Sequence, residues 1–253
     1  MAQLQNITLQ WYSQWRKILG ELVATCMLVF FACMTCIPLD GIHPNPSLYS
    51  PIGIGMVIVL IAQIFGHITG CHISPAVTLA GIIWGNTSIS LGIAYVIAQS
   101  VGAILGYGIL MVLSPIDLIP GSVCVTQPHV EHSVFQSLLF EIVFTGALVL
   151  VVCSMWDPVN EHKTEANSLK FGLAIVGLII AGGPLNGGSM NPVRSLGPAI
   201  WTGKWTSHWI YWIGPLIGGV LASTLYKYVW IKIEKVEEHK MQPLAANEED
   251  CEC

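Results

Sequence analysis

Apolar residues form long runs along this chain, and only a lipid environment suits runs of that length. A helix needs about 20 apolar residues to cross a bilayer. The six predicted spans are Ile18–Ile37, Ile52–Ile68, Leu91–Leu113, Phe135–Met155, Phe171–Gly183 with some preceding residues, and Trp209–Ile231. Two further apolar stretches, 74–85 and 191–203, are too short to cross, and each begins with a polar residue followed by proline.

The two halves of the chain repeat each other. GELVATCMLVFF (20–31) parallels FEIVFTGALVLVV (140–152), SPAVTLAGIIWG (74–85) parallels NPVRSLGPAIWTG (191–203), and YVIAQSVGA (95–103) parallels YWIGPLIGG (211–219). Each half holds three spans, an odd number, so the second copy is inverted in the membrane. The pattern predicts an all-α membrane protein with six transmembrane helices and two re-entrant half-helices in an inverted 3+3 repeat.

The two short stretches predict a solute path at the middle of the membrane. Ser74 and Asn191 suit the N-cap of a helix, and Pro75 and Pro192 suit its first turn. Because the halves are inverted, the two half-helices enter from opposite faces and their N-termini meet near the centre. Two positive dipole ends there repel cations and offer donors to a neutral, oxygen-bearing solute.

Composition supports an integral membrane domain and excludes several other classes. Charged residues make up 10% of the chain and hydrophobic residues 53%, whereas soluble chains carry roughly 25% charged residues. The mean hydropathy is +0.66. The net charge of −5 comes largely from the C-terminal tail, and no basic patch indicates nucleic acid. We therefore predict an N-terminal segment 1–17, a channel-like domain 18–232 and a disordered acidic tail 233–253.

Positive residues predict the orientation in the lipid bilayer. Eight of the ten Lys and Arg residues stand before span 1, between spans 4 and 5, or at and after the end of span 6; Arg194 and Lys204 follow span 5, and the loops after spans 1 and 3 contain none. The positive-inside rule then places both termini and the tail in the cytoplasm. We expect the plasma membrane, with an intracellular membrane as the alternative.

The eight cysteines form no paired spacing of the kind that marks a metal site. Most lie in apolar runs, so we expect scattered thiols in the core. Cys251 and Cys253 suit either a disordered tail, which we favour, or a metal or lipid site. No cofactor and no metal centre are expected. A membrane enzyme is the weaker alternative, because no Ser/His/Asp set and no HExxH motif occur.

The chain resembles the aquaporin (major intrinsic protein) family over residues 15–232. The resemblance rests on GHITGCHISPAVTLA and GGSMNPVRSLGPA, which stand where that family has its two Asn-Pro-Ala signatures. AGGPLNGGSMNP is most similar to aquaporin-8 and the plant tonoplast group. The resemblance implies a homotetramer with one pore per subunit, each a passive channel for water and small uncharged solutes. A closed-pore scaffold or adhesion protein is the remaining alternative.

The central motif departs from the family pattern at two positions. The residues that match it are Ser74, Pro75, Ala76, Asn191, Pro192 and Val193. Ser74 stands where the family has Asn, and Val193 where it has Ala. An amide carries two donor hydrogens and a hydroxyl one. We expect a tolerated cap exchange, with altered central selectivity as the alternative.

The resemblance also implies an outer selectivity filter of four residues. They are Ile54, Ile179 (or Leu178 if a loop length differs), Gly188 and Arg194. Strict water channels commonly carry an aromatic residue and a histidine at the first two positions. Two aliphatic residues there predict a wider, less polar filter that favours glycerol, urea, ammonia or hydrogen peroxide. Ser195, where glycerol-type members usually carry Asp, argues against strong glycerol specialisation. A strictly water-selective channel is the alternative.

The remaining candidates line or support the pore. We expect Cys71, His72 and Ser189 to line it. Glu21, Glu141 and His67 are expected to be buried, with a place on the inner half of the pore as the equal alternative for His67. The two carboxylates are predicted to accept hydrogen bonds from the re-entrant segments, a structural role that we favour over a proton relay.

Overall fold

The computed structural model describes residues 2–38 and 47–231, and within those ranges every regular element is helical. The eight α-helices are α1 (Ala2–Met34), α2 (Tyr49–Thr69), α3 (Pro75–Trp84), α4 (Ile89–Leu113), α5 (Val134–Trp156), α6 (Asn167–Asn186), α7 (Pro192–Thr202) and α8 (Ile210–Leu225). A π-helix, Tyr226–Trp230, continues α8 without a break. The all-helical fold class is confirmed.

Six of these helices have the length of membrane spans. Five carry a stretch long and apolar enough to cross by length and composition, in α1 the part Gln14–Met34. The sixth is α8, whose 16 residues run on into the five residues of the π-helix. The six predicted spans are therefore confirmed.

Several helix ends differ from the predicted spans. α1 begins at Ala2 and ends at Met34, three residues before the predicted end, because Thr35 and Cys36 form a turn. α6 extends the fifth span at both ends, to Asn167 and Asn186. The predicted boundaries of the three segments stay predictions, and the tail 233–253, with Cys251 and Cys253, lies outside the described residues.

The two short helices α3 and α7 are half-helices. They hold ten and 11 residues, which at about 1.5 Å per residue reach about half of a ~30 Å hydrocarbon core. Each has proline in its first turn, and each ends at a left-handed glycine, Gly85 (φ 101°) or Gly203 (φ 69°). The cap residues begin both helices where the sequence predicts.

The inverted repeat extends to individual packing contacts. α1 packs against α4 and α5 packs against α8. A Cβ added to Gly102 of α4 would meet the Leu22 carbonyl oxygen of α1, and one added to Gly218 of α8 would meet the Ile142 carbonyl oxygen of α5. Because both close approaches need a residue without a side chain, glycine fixes the same helix spacing in each half.

The expectation of scattered cysteine thiols is wrong for one pair. Cys33, near the end of α1, and Cys124, in the connection between α4 and α5, form a disulfide with their Cα atoms 5.2 Å apart. The connection folds back over the end of α1, so residues 91 positions apart become neighbours. Cys26, Cys36, Cys71 and Cys153 are free thiols.

Candidate functional site

Two buried carboxylates anchor the re-entrant segments that lead to the half-helices. Glu21 of α1 accepts from the backbone N–H of His72 (3.0 Å) and of Ile73 (2.8 Å). Glu141 of α5 accepts from the backbone N–H of Ser189 (3.3 Å) and Met190 (2.9 Å). These N–H groups lie outside any helix, and the carboxylates satisfy donors that would otherwise be buried without partners.

The anchored backbone has the same unusual conformation in both halves. Cys71 and Ile73 have φ angles of 50° and 46°, and their counterparts Gly188 and Met190 have 57° and 52°. Three of these four residues carry a side chain, for which the left-handed region is unfavourable. Such a conformation persists where the surroundings hold it, and the two carboxylates supply that hold.

The N-termini of the two half-helices meet through one direct hydrogen bond. The Asn191 amide Nδ2 donates to the Ile73 carbonyl oxygen at 2.8 Å. Its Oδ1 accepts from the Val193 N–H at 3.1 Å and the Arg194 N–H at 3.5 Å, which caps α7. One amide hydrogen therefore remains for the cavity.

Ser74 caps α3 in a simpler way. Its hydroxyl oxygen accepts from the Ala76 N–H at 3.2 Å. Among the described residues, the structure records no acceptor for its hydroxyl hydrogen. Ser74 and Asn191 thus each keep one donor hydrogen that is not used by the protein, although only Asn191 also bonds to the opposite half.

A narrow cavity of about 50 Å³ runs past this centre. It is lined by Ser74 and Asn191 and by the four residues of the predicted filter, Ile54, Ile179, Gly188 and Arg194. Ser189 and His72 also line it. A Cβ added to Gly188 would stand 3.9 Å from the Ile179 Cγ1 atom, so these two filter positions are neighbours.

Some predicted pore residues lie behind the cavity wall. Pro75, Ala76, Pro192 and Val193 are buried in the first turns of the half-helices and are not among the lining residues of the narrow cavity. Leu178 is half-buried and packs against the hydrophobic core cluster, whereas Ile179 lines the cavity. Of the two predicted alternatives for that position, only Ile179 shares the cavity with the other three predicted filter residues.

Arg194 is held at the wall of the cavity by the connection between α4 and α5. Its Nη1 donates to the Cys124 carbonyl oxygen at 2.8 Å. The guanidinium therefore has a fixed backbone acceptor on a residue that is itself covalently bound to α1. A hydrogen bond from a charged donor is stronger and more directional than one between neutral groups.

A wider cavity of about 490 Å³ lies on the other side of the centre. Cys71 and His67 line it, and it shares Val77 and Phe171 with the narrow cavity. The two cavities therefore adjoin, one on each side of the meeting point of the half-helices. His67 is exposed in this wider cavity, which corrects the expectation that it is buried.

His72 occupies a packed position beside the narrow cavity. Its ring nitrogen Nδ1 lies 3.3 Å from the Thr78 hydroxyl oxygen, and its ring stands edge-on to Tyr95 with centroids 5.3 Å apart. The backbone N–H of the same residue is held by Glu21. The imidazole is thereby fixed at the wall of the narrow cavity.

Sequence reasoning missed three contributors to the site. Ile73 and Met190 line the narrow cavity, because the left-handed backbone turns the residue before each cap towards it. The Cys124 carbonyl holds the filter arginine. The position of Cys124 could have been anticipated from the sequence. Cys33 and Cys124 both lie towards the face of the membrane whose loops, after spans 1 and 3, lack Lys and Arg.

A bundle of six spanning helices, two half-helices that meet at the centre, and two adjoining cavities beside them define a membrane channel of the inverted-repeat type. The family model "Major intrinsic protein" matches residues 8–226. The chain belongs to this family, whose members are channels. It is therefore an integral membrane protein and a passive channel for water and small uncharged solutes.

Individual relatives agree with that assignment. The chain is 36% identical to aquaporin-4 of Mus musculus over 222 residues, which are 85% of this chain and 68% of the relative. It is 33% identical to aquaporin-2 of Rattus norvegicus over 235 residues, 93% of this chain and 86% of the relative. The greater similarity to aquaporin-8 and the tonoplast group stays a prediction.

A solved structure shares the fold. The X-ray structure of the aquaglyceroporin from Plasmodium falciparum superposes with a TM-score of 0.72 and covers 85% of this chain and 96% of that chain. The sequence identity is 21%, so the likeness supports the arrangement of helices and half-helices and not the choice of solute.

Proposed function

We propose that this channel passes uncharged solutes larger than water, with glycerol and urea as the test cases and ammonia and hydrogen peroxide as smaller companions. The observation that supports the proposal is the grouping of Ile54, Ile179 and Gly188 around one narrow cavity with Arg194. Three of the four positions carry aliphatic groups or no side chain. The arginine supplies hydrogen-bond donors on one side, and the rest of the ring is apolar.

Such a ring suits a solute with a polar edge and a carbon-bearing edge. The guanidinium of Arg194 donates hydrogen bonds to hydroxyl or carbonyl oxygens, while the isoleucines contact the carbon atoms. A water molecule meets fewer polar partners in this ring than it does in bulk water. A filter of this kind therefore discriminates less strongly in favour of water.

Ions and protons are excluded, in this proposal, by charge at two levels. Arg194 repels cations at the filter, and the N-termini of α3 and α7 present positive dipole ends at the centre. The central hydrogen bond between Asn191 and the Ile73 carbonyl supports the close approach of those two helix ends. The narrow cavity offers an ion too few ligands to replace its hydration shell.

The test is a permeability panel in liposomes containing the purified protein. Water, glycerol, urea, methylamine and hydrogen peroxide are measured for the wild type, Ile54→Phe and Ile179→His. Each substitution narrows the ring or makes it more polar, so we expect the glycerol-to-water ratio to fall about tenfold, as for a tightened apolar pocket. Unchanged ratios in both variants contradict the filter assignment. A wild type that passes water and none of the larger solutes leaves a strictly water-selective channel as the second candidate.

We further propose a homotetramer with both termini in the cytoplasm, at the plasma membrane. The family resemblance supports the tetramer. The positive-inside bias and the Cys33–Cys124 disulfide support the orientation, because disulfides persist in oxidising compartments. Crosslinking in the membrane tests the tetramer, and protease or epitope access in sealed cells tests the orientation.

A further inference from the structure

The connection between α4 and α5, residues 114–133, contributes the backbone group that holds the filter arginine. Arg194 Nη1 donates to the Cys124 carbonyl oxygen at 2.8 Å. The side chain of the same residue forms the disulfide with Cys33. Cys124 thus links Arg194 to helix α1. Its carbonyl oxygen accepts a hydrogen bond from the arginine, and its sulfur is bonded to Cys33.

The backbone around Cys124 has an unfavourable conformation that surrounding contacts must stabilise. Cys124 has a φ angle of 65° and Ser122 one of 47°, both in the left-handed region. A residue with a Cβ occupies that region when its surroundings impose it. Between them, the Val123 carbonyl oxygen accepts from the Tyr107 hydroxyl at 2.8 Å. The disulfide is the covalent part of this hold.

The other end of the disulfide is rigid. Cys33 has no exposed surface and lies in the same buried cluster as Val29 and Val193. Val193 directly precedes the filter arginine in α7. The disulfide therefore links Cys124 to the same buried cluster that holds the start of α7. Because Arg194 also belongs to α7, the distance between its Nη1 and the Cys124 carbonyl oxygen is restrained at both atoms.

We propose that the Cys33–Cys124 disulfide is a positioning element of the selectivity filter. It fixes the carbonyl that keeps the Arg194 guanidinium against the pore wall, and so keeps the cross-section open to glycerol-sized solutes. The inference rests on the proposed function as a channel for such solutes. When the disulfide is absent, Cys124 leaves the left-handed region and its carbonyl turns away. The guanidinium then extends into the cavity, where it obstructs glycerol more than water.

The first test compares Cys33→Ala and Cys124→Ala with a matched control, Cys36→Ala. Cys36 stands three residues from Cys33 and is a free thiol. The readout is the ratio of glycerol to water permeability in liposomes, which does not depend on how many folded channels each vesicle holds. Because water in the cavity replaces the carbonyl as a partner of the freed guanidinium, we expect a net effect at the lower end of the range for one hydrogen bond, an about threefold fall of this ratio in both disulfide variants. An unchanged ratio overturns the inference.

The second test shows whether the disulfide acts through the arginine. In an Arg194→Ala background, adding Cys124→Ala is expected to leave the ratio unchanged, because the group that the carbonyl holds is gone. A further threefold fall in that background overturns the inference. It would mean that the disulfide affects the pore by another route.

The third measurement uses the folded wild type and needs no substitution. Dithiothreitol passes two electrons and two protons to the disulfide, which opens to two thiols while the reagent closes to its own cyclic disulfide. Alkylation and mass measurement confirm which vesicles carry the open form. Those vesicles are expected to show the same threefold fall, reversed on reoxidation, and no response overturns the inference.

Failure of the inference and failure of the proposed function give different results. If the oxidised wild type passes neither water nor glycerol faster than empty liposomes, the proposed function is wrong. If it passes both and the disulfide variants keep the wild-type ratio, only the positioning role is wrong.

Discussion

The two re-entrant segments follow the same backbone path but are held by different parts of the molecule. In the first half, the Gln99 side chain of α4 donates to both Glu21 (2.8 Å) and the Thr78 hydroxyl (2.9 Å), deep in the helix bundle. In the second half, the Thr126 hydroxyl, in the connection between α4 and α5, donates to Ser195 at 2.7 Å. The half that carries the filter arginine therefore depends on a segment outside the spanning helices.

This difference between the two halves means that the selectivity of the channel can change without a loss of the stability of the helix bundle. The first segment is fixed by buried side chains of spanning helices, so its geometry changes only when the core changes. The second segment is fixed in part by a connection that substitution or reduction can alter while the bundle stays intact. Connections of this kind vary more readily than the elements they join. We therefore expect substitutions in the 114–133 connection to change solute selectivity more readily than substitutions around the first re-entrant segment.

The largest effect is expected where the halves meet. Asn191→Ala removes the cap of α7, worth about 1 kcal/mol, and leaves the buried Ile73 carbonyl without its partner, at a cost of about 1–3 kcal/mol. Ser74→Ala removes only a cap. We expect unfolding in detergent to show a loss of about 3 kcal/mol for the first variant and about 1 kcal/mol for the second. Equal losses would contradict the asymmetry.

The anchoring carboxylates give the next largest effect. In Glu21→Gln or Glu141→Gln, the new amide group points donor hydrogens at backbone N–H donors. Glu21 accepts four hydrogen bonds and Glu141 three. We expect losses of about 3 and about 2 kcal/mol in the free energy of unfolding, read by chemical denaturation. A larger loss for Glu141→Gln would reverse the order argued here.

A smaller effect is expected at the pair Cys71 and Gly188, which have the same left-handed backbone. A Cβ on Gly188 would stand 3.3 Å from the Gly183 Cα atom and would enter the filter ring. Gly188→Ala should lower the glycerol-to-water ratio about tenfold, by analogy with one added methylene in an apolar pocket. Cys71→Gly, on the wide cavity, should leave the ratio unchanged and serves as the control. If Cys71→Gly changed the ratio and Gly188→Ala did not, the selective constriction would lie on the Cys71 side of the centre, which contradicts the filter assignment.

The smallest effect sharpens the comparison at the centre. Ser74→Asn supplies an amide that can donate to the Met190 carbonyl, as the Asn191 amide donates to the Ile73 carbonyl in the opposite direction. One added hydrogen bond predicts a gain of about 1 kcal/mol and a Tm about 2–4 °C higher, with solute ratios unchanged. A lower Tm would show that the two halves do not present equivalent carbonyls.

Hydrophobic length and internal repetition predict most of this fold, because a span and a half-helix differ plainly in the number of apolar residues. The filter positions came from the resemblance to the aquaporin family, which implies Gly188 and Arg194 at three residues on either side of Asn191. The ends of helices are less predictable. α1 stops at Met34, where a turn follows, although the apolar run continues to Ile37 with Thr35 as its single interruption.

Contacts made by irregular backbone could not be predicted from the sequence. The disulfide joins Cys33 to Cys124 because the 114–133 connection folds back, and that path has no periodic pattern. His67 was expected to be buried, yet it lines the wider cavity and is exposed. Ile179 could be separated from Leu178 only when the rotation of α6 was known.

The central claim is that the filter admits an uncharged solute larger than water. Stopped-flow light scattering of liposomes containing the wild type tests it directly, with a glycerol gradient compared with an equal sucrose gradient. We predict fast shrinkage in both, followed in glycerol alone by re-swelling faster than in empty liposomes. Fast shrinkage in glycerol with re-swelling no faster than in empty liposomes would contradict the claim and identify a channel that passes water and rejects glycerol.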